Sequence, residues 1–149
     1  MPKPDVVPLT PTHKAGAIDP VSAILALTRA DDRPPCDRRV EIFDGQQRYN
    51  IVLSFKRMTR VKAAAGGAHS EPAIVCRAIY EPVAGHRANE DTKAYAANHD
   101  VEIVMRHVPG TRMMIPSAIM VPTVWGTGSM VADRIEVVVS ANRKFTMTE

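Results

Sequence analysis

The chain has 149 residues, of which 45% are hydrophobic and 23% are charged, a balance typical of a globular protein. The formal net charge is only +3, and aromatic residues make up 5% of the chain. The length corresponds to a single domain. Because no run approaches the roughly 18 consecutive apolar residues that a membrane span needs, the composition predicts no transmembrane segment. These numbers exclude wholesale disorder, and they identify no activity.

The basic residues do not follow the pattern of a nucleic-acid-binding surface. Their densest run contains Lys56, Arg57, Arg60 and Lys62, and Phe55 is the only aromatic residue beside it. Proteins that bind nucleic acids interleave basic patches with aromatic side chains that stack on bases. We therefore interpret the run as a solvated strand end and predict no nucleic-acid partner.

The N-terminal part of the chain predicts a leader followed by a short helix. Residues 1–12 contain four prolines, which favour an extended, unpaired, proline-rich leader. Asp19 can cap a helix that begins at Pro20, and the apolar residues up to Leu27 give this helix a face to bury. The leader lacks the apolar region of a signal peptide.

The remainder of the chain predicts one mainly β domain over residues 13–141, followed by a polar, fraying tail over residues 142–149. Alternating apolar and polar residues predict about six strands, with one or two short helices. The clearest hairpin turns at Asp44 and Gly45, and the last strand is predicted over residues 129–140. Strands joined mostly by hairpins favour an antiparallel sheet that curls around one apolar face, in a barrel-like or β-spiral arrangement.

The turn after the third predicted strand contains the candidates for a polar site. His86 and Arg87, with Asp91 nearby, could bind an anionic group or serve a hydrolase-type or metal-dependent enzyme. The alternative is that these side chains only close the turn. The histidines lack the spacing of a zinc motif, and neither a nucleophile elbow nor a phosphate-binding loop is present. We therefore predict no catalytic residue, no bound metal and no cofactor.

Methionines and the single tryptophan supply the candidates for an apolar site. Five of the eight methionines fall between residues 105 and 130, among them Met105, Met113 and Met120. Flexible thioethers line adaptable pockets, so one interpretation is a cavity for a lipophilic ligand. The other is that methionine fills a core with few aromatic residues. Trp125 is expected to close the end of the core, and it is a further candidate ligand contact.

The two cysteines, Cys36 and Cys76, leave two alternatives open. One disulfide between them would close a loop of about 40 residues and contribute roughly 4 kcal/mol to stability. Two unpaired, buried thiols in a reducing compartment are the other alternative, since free cysteine behaves as a small hydrophobic residue. A zinc site built from four cysteines is excluded, as is a C-x-x-C redox pair.

Four ordered blocks of sequence are similar to a known family. The first is DPVSAILAL at 19–27 and the last is VPTVWGT at 121–127, with residues 36–55 and 75–87 between them. They resemble the uncharacterised bacterial envelope proteins called domain of unknown function 3108. The resemblance implies a β-rich sheet, a periplasmic location and therefore a Cys36–Cys76 disulfide. It also implies that this chain corresponds to the C-terminal part of such a protein, without the signal peptide and the first strands.

The function expected from these features is that of a non-enzymatic, periplasmic envelope protein. It would bind a lipophilic ligand, or a lipoprotein or peptide partner, in or on a β-shell. One alternative is a hydrolase-type or metal-dependent enzyme that uses the turn with His86, Arg87 and Asp91. Another alternative is a purely structural interaction domain that offers a sheet edge to a partner.

Overall fold

The computed structural model describes residues 5–28, 33–63 and 68–148. These residues form three short helices and eight strands. In chain order they are α1 (Pro11–Lys14), α2 (Pro20–Leu27), β1 (Arg38–Phe43), β2 (Arg48–Lys62), β3 (Ser70–Ala84), α3 (Glu90–Ala97), β4 (Val101–His107), β5 (Met114–Thr123), β6 (Gly126–Val131), β7 (Arg134–Ser140) and β8 (Arg143–Thr148). Within the described ranges, no helix has the length and apolar character needed to cross a membrane.

The six strands from β1 to β6 form one antiparallel sheet in which each strand pairs with the next strand along the chain. The predicted mainly β fold and its antiparallel sheet of about six strands are therefore confirmed. Among the described residues, β1 and β6 each have a neighbouring strand on one side only, although Ile18 forms an isolated bridge with Ile42 on the outer side of β1. The sheet is therefore open and does not close into a barrel. The strands β7 and β8 form a separate two-stranded sheet.

The sheet has an apolar face, and α2 packs on this face. Cys76 of β3 lies opposite Ile103 of β4, which in turn lies opposite Ile119 of β5. Because side chains alternate between the two faces of a strand, these three residues share one side of the sheet. From α2, Ala23 packs against β1 residues and Leu27 packs against the cluster that contains Cys76 and Ile103. One part of the core therefore lies between α2 and the apolar face, and a separate cluster of Ala73, Val75 and Val104 is buried on the opposite face.

The opposite face of the sheet carries ion pairs. Glu102 of β4 lies 2.6 Å from the Nζ atom of Lys56 and 2.8 Å from the guanidinium of Arg57. Arg39 and Glu81 form a second pair across the strands, at 2.5 Å. The basic run at the end of β2 is thus partly neutralised by a carboxylate on a neighbouring strand.

The predicted disulfide between Cys36 and Cys76 is confirmed. Cys36 precedes β1, Cys76 lies in β3, and both side chains are buried in the cluster that receives Leu27 from α2. The bond therefore ties the segment between α2 and β1 to the centre of the sheet.

The C-terminal region differs from the sequence prediction. Instead of one strand over residues 129–140, Ala132 and Asp133 separate β6 from β7. The predicted fraying tail contains β8, whose Met147 is buried against Val108 and Ile115. The apolar alternation in β8 is too short to stand out among polar neighbours, so the prediction of a fraying tail was wrong for residues 143–148.

The predicted leader is also paired in part. Val6 forms an isolated antiparallel bridge with Arg87. The Val7 amide donates to the His86 carbonyl at 2.9 Å, and the Gly85 amide donates to the Val7 carbonyl at 2.8 Å. Residues 5–7 therefore lie against the turn after β3 rather than unpaired in solvent, and residues 1–4 of the leader lie outside the described residues.

Candidate ligand-binding groove

The β5–β6 hairpin and the residues beside it form a long segment without charge. Every residue from Met113 to Ala132 is uncharged, and the segment ends at Arg112 on one side and Asp133 on the other. The other edge of the sheet is different, because β1 carries Arg39 and Glu41 among its apolar residues. The sheet thus has one edge with charged side chains and one without.

A groove of about 300 Å³ lies on the apolar face between α2 and this hairpin. We call it the apolar groove. Its lining residues are Ile24, Leu27, Ile103, Pro116, Ser117, Ala118, Ile119, Met130, Val131 and Ala132. Ser117 is the one hydroxyl among them, and it is buried and donates to the Val104 carbonyl at 3.3 Å. The walls therefore present almost entirely apolar atoms.

Large apolar side chains are exposed along the rim of the apolar groove. Ile24 of α2 is 55% exposed and Met130 of β6 is 72% exposed. Val21 and Leu25 of α2 are also exposed, but they are not among the residues that line the groove. Single exposed apolar residues are common on proteins, but neighbouring ones around a concave surface indicate a binding site.

The N-terminal end of α2 is fixed by a cap. The Asp19 carboxylate accepts hydrogen bonds from the Val21 and Ser22 amides, each at 3.0 Å, and from the Ser22 hydroxyl at 2.5 Å. The hydrogen bonds from Ser22 hold the pKa of the Asp19 carboxyl below its ordinary value. At the other end, Leu27 is held in the disulfide cluster, so both ends of this groove wall are anchored.

A second apolar cleft of about 400 Å³ opens above β2 and β3. It is lined by Cys36, Leu53, Phe55 and Ile74, together with two prolines that precede Cys36. The charged residue Asp37 and the hydroxyl of Ser54 also line this cleft, which makes its wall more polar than that of the apolar groove.

A third cleft, of about 370 Å³, lies between α3 and the sheet and contains Tyr80 and Tyr95. The rings of Tyr49 and Tyr80 are in contact, with centroids 5.4 Å apart, and we call these two residues the tyrosine pair. The Tyr80 hydroxyl donates to Oε1 of Gln47 at 3.3 Å. Burial raises the pKa of both phenols above the ordinary value.

The turn predicted as a polar site forms a polar cleft of about 320 Å³. The structure brings Arg87 and Asp91 together around it, with Gln46 and Gln47 from the turn between β1 and β2. His86 is not among the described lining residues, and its Nδ1 atom is buried with no hydrogen-bond partner in the described part of the chain.

Gly85 allows the turn after β3 to lie directly against the turn between β1 and β2. Its φ is +80°, and a Cβ atom built there would lie 2.1 Å from the carbonyl oxygen of Gln46. Only glycine allows this approach of two backbones.

Across residues 5–28, 33–63 and 68–148, no group of three or more histidine, cysteine, aspartate or glutamate residues is placed to hold a metal ion.

The predicted methionine contacts are dispersed by the structure. Met105 is buried in the core of the apolar face, where its cluster includes Cys76. Met120 packs on the opposite face against the cluster of Ala73 and Val104, and Met113 is partly exposed just before β5. These three methionines therefore do not line one pocket.

Trp125 does not close the core. It lies in the turn between β5 and β6, where Thr123 and Gly126 are the last paired residues, and its side chain is 95% exposed. The expectation that Trp125 closes the core was wrong, because β5 and β6 remain hydrogen-bonded as far as Thr123 and Gly126. The tryptophan therefore lies in the turn, beyond the end of the sheet.

The sequence interpretation missed the residues that form the apolar groove. Ile24, Leu27, Ile119 and Met130 come from elements that are far apart in the chain. One available signal was the length of the uncharged segment 113–132, and the other was the wide apolar surface of the short helix predicted from Pro20 to Leu27.

Comparisons with protein-family models, with curated proteins and with solved structures find no match to this chain. The resemblance to domain of unknown function 3108 therefore stays a prediction. The proposals for function rest on the geometry of the described residues.

Proposed function

We propose that this protein is a non-enzymatic binding protein whose apolar groove takes the apolar part of a lipophilic ligand. The observation that carries the proposal is the composition of the groove wall: nine of its ten lining residues are apolar, and the hydroxyl of Ser117 bonds to the protein itself. A ligand that enters therefore displaces water from apolar surface without stripping water from polar groups. Each 100 Å² of apolar surface removed from water contributes roughly 2.5 kcal/mol before the costs of binding.

The size of the apolar groove limits what it can hold. At about 300 Å³, it lies at the lower end of the roughly 300–1,000 Å³ range of small-molecule sites. It suits one acyl chain or one aryl group, with any polar head group left in solvent. The acyl chain of a lipoprotein has the same chemistry as a free fatty acid, so both belong to the proposed ligand class.

A periplasmic location is part of the proposal. Structural disulfides persist in oxidising compartments such as the bacterial periplasm. The buried Cys36–Cys76 bond supports such a location, and the family resemblance implies it.

A second candidate function is the binding of an extended peptide. The outer side of β6 has no partner strand among the described residues, and this edge borders the apolar groove. An extended chain could add to such an edge through backbone hydrogen bonds and place alternate side chains in the groove.

The proposal is tested by titrating the protein with a fluorescent fatty acid below its aggregation concentration. Ile24→Glu and Met130→Glu each put a carboxylate at the groove rim, and each is expected to weaken binding at least tenfold, about 1.4 kcal/mol. Both side chains are mostly exposed, so the fold tolerates the change.

The matched control is Val138→Glu, an equally exposed position on β7 that lies opposite Lys144. It is expected to bind the fatty acid as the unmodified protein does. Equal affinity in all three variants, or no binding by the unmodified protein, would refute the ligand proposal. Binding of an extended peptide without fatty-acid binding would favour the second candidate.

A further inference from the structure

The turn of the β5–β6 hairpin places two large apolar side chains in solvent. Val124 is 94% exposed and Trp125 is 95% exposed, more than any other large hydrophobic residue in the described part of the chain. Thr123 and Gly126 form the last pair of the ladder, so Val124 and Trp125 are the two central residues of the turn. We call these two residues the hairpin tip.

The polar groups beside the hairpin tip are bonded within the turn. The Thr123 hydroxyl donates to the Gly126 carbonyl at 2.7 Å, and the Trp125 amide donates to the Thr123 hydroxyl oxygen at 3.3 Å. Backbone groups that lose water without a partner carry a large free-energy penalty in an apolar medium. Because these groups are already paired, part of that penalty is removed.

We propose that the hairpin tip docks into the surface of a lipid bilayer, with the Trp125 ring at the level of the head groups. Tryptophan is enriched at this level because its ring is apolar and its N–H group is polar. The hairpin itself contributes no charged side chain to the tip, since every residue from Met113 to Ala132 is uncharged.

The area of the hairpin tip favours a bilayer over a protein partner. An aromatic side chain buries about 150–250 Å², so a tryptophan and a valine together cover only a few hundred Å². A stable protein complex buries about 800 Å² on each partner. A bilayer surface has no such requirement for a large complementary area, because lipids rearrange around the inserted side chains.

Membrane docking goes beyond ligand binding in the groove, and it does not depend on it. The hairpin that carries the tip also supplies Met130 and Ile119 to the apolar groove. In a protein molecule docked on a bilayer, the same hairpin would thus contact the membrane and form one wall of the apolar groove. The two activities use different residues and can be tested separately.

The single tryptophan provides a direct test. Because Trp125 is the only tryptophan in the chain, its emission reports on the hairpin tip alone. Addition of phosphatidylcholine vesicles is expected to shift this emission to shorter wavelength and to reduce its quenching by acrylamide. The shift is expected to be the same at low and high salt, since the tip carries no charge to be screened.

Val124→Asp keeps the fluorescent reporter and is expected to weaken vesicle binding at least tenfold. The control Val138→Asp adds the same charge at an exposed site opposite Lys144, and it is expected to bind vesicles normally. Ile24→Glu, which alters the groove, is also expected to leave vesicle binding unchanged.

Three results would overturn membrane docking. The first is an emission spectrum that does not change at saturating phosphatidylcholine. The second is a shift that grows with protein concentration in the absence of vesicles, which would assign the tip to a second copy of the chain. The third is a shift that occurs only with phosphatidylglycerol vesicles at low salt, because binding would then come from the net charge of +3.

Discussion

Removal of the disulfide is expected to lower the free energy of unfolding by about 5 kcal/mol. Cys36 and Cys76 are 40 residues apart, and a loop of this size contributes about 4 kcal/mol by restricting the unfolded chain. Changing both residues to alanine also removes two buried sulfur atoms from the cluster under α2, which adds about 1 kcal/mol of cavity cost. The sum is a third or more of the roughly 5–15 kcal/mol that stabilises a typical domain.

Urea unfolding followed by circular dichroism measures this loss. With a slope of about 2 kcal/mol/M, the midpoint of the double alanine variant is expected to fall by about 2.5 M. Unmodified protein in reductant loses the bond but keeps both sulfur atoms, so its urea midpoint is expected to fall by about 2 M. The difference between this midpoint and that of the double alanine variant isolates the contribution of packing. A midpoint lowered by less than about 0.5 M in both samples would refute the reasoning, as would two titratable thiols in the unreduced, denatured protein.

Three further predictions concern stability. Gly85→Ala is expected to lower the free energy of unfolding by at least about 2 kcal/mol more than Gly45→Ala, because a Cβ at Gly85 meets the Gln46 carbonyl while Gly45 has open space; equal thermal shifts would contradict this. Glu71→Gln is expected to cost about 2 kcal/mol in urea unfolding, because the buried Arg106 loses its carboxylate partner; unchanged stability would contradict it. Each phenol of the tyrosine pair has a raised pKa, so the native state retains protons that the unfolded state loses above pH 10. The free energy of unfolding is therefore expected to fall as the pH rises above this value. Replacement of both tyrosines by phenylalanine is expected to reduce this fall.

The strand order could be predicted from the sequence because it follows from local signals. The alternation on both sides of Asp44 and Gly45 identifies the first hairpin, and this hairpin forms between β1 and β2. The remaining strands of the large sheet also pair with their nearest neighbours along the chain. In such a meander, local patterns are sufficient to give the topology.

The positions of the methionines could not be predicted because they depend on register. Met105 and Met120 lie on adjacent strands, but Met120 is paired with Glu102 and Met105 is paired with Pro116. Ser117 of β5 is an extra residue at this point, because Val104 is paired with Ala118 and Met105 with Pro116. Met114 and Met120 therefore pack on different faces, although they are separated by an even number of residues. A shift by one residue moves a side chain to the other face, and a single sequence does not reveal such a shift.

The apolar groove depends on tertiary contacts between distant segments. Nothing in the residues around Ile24 indicates that α2 packs over the sheet near Met130, more than a hundred positions later. The uncharged segment 113–132 was visible in the sequence, but it is equally compatible with a buried hairpin. The structure leaves Met130 exposed, and this exposure is what makes the segment a candidate binding surface.

The most direct test of ligand binding in the apolar groove is a measurement of nuclear Overhauser effects between a fatty acid and labelled methyl groups of the protein. Ligand contacts to Ile24, Ile119 and Met130 are the predicted result, since these side chains line the groove from both sides. Contacts confined to Ile74 in the second apolar cleft, or no contacts at saturating fatty acid, would contradict the proposal.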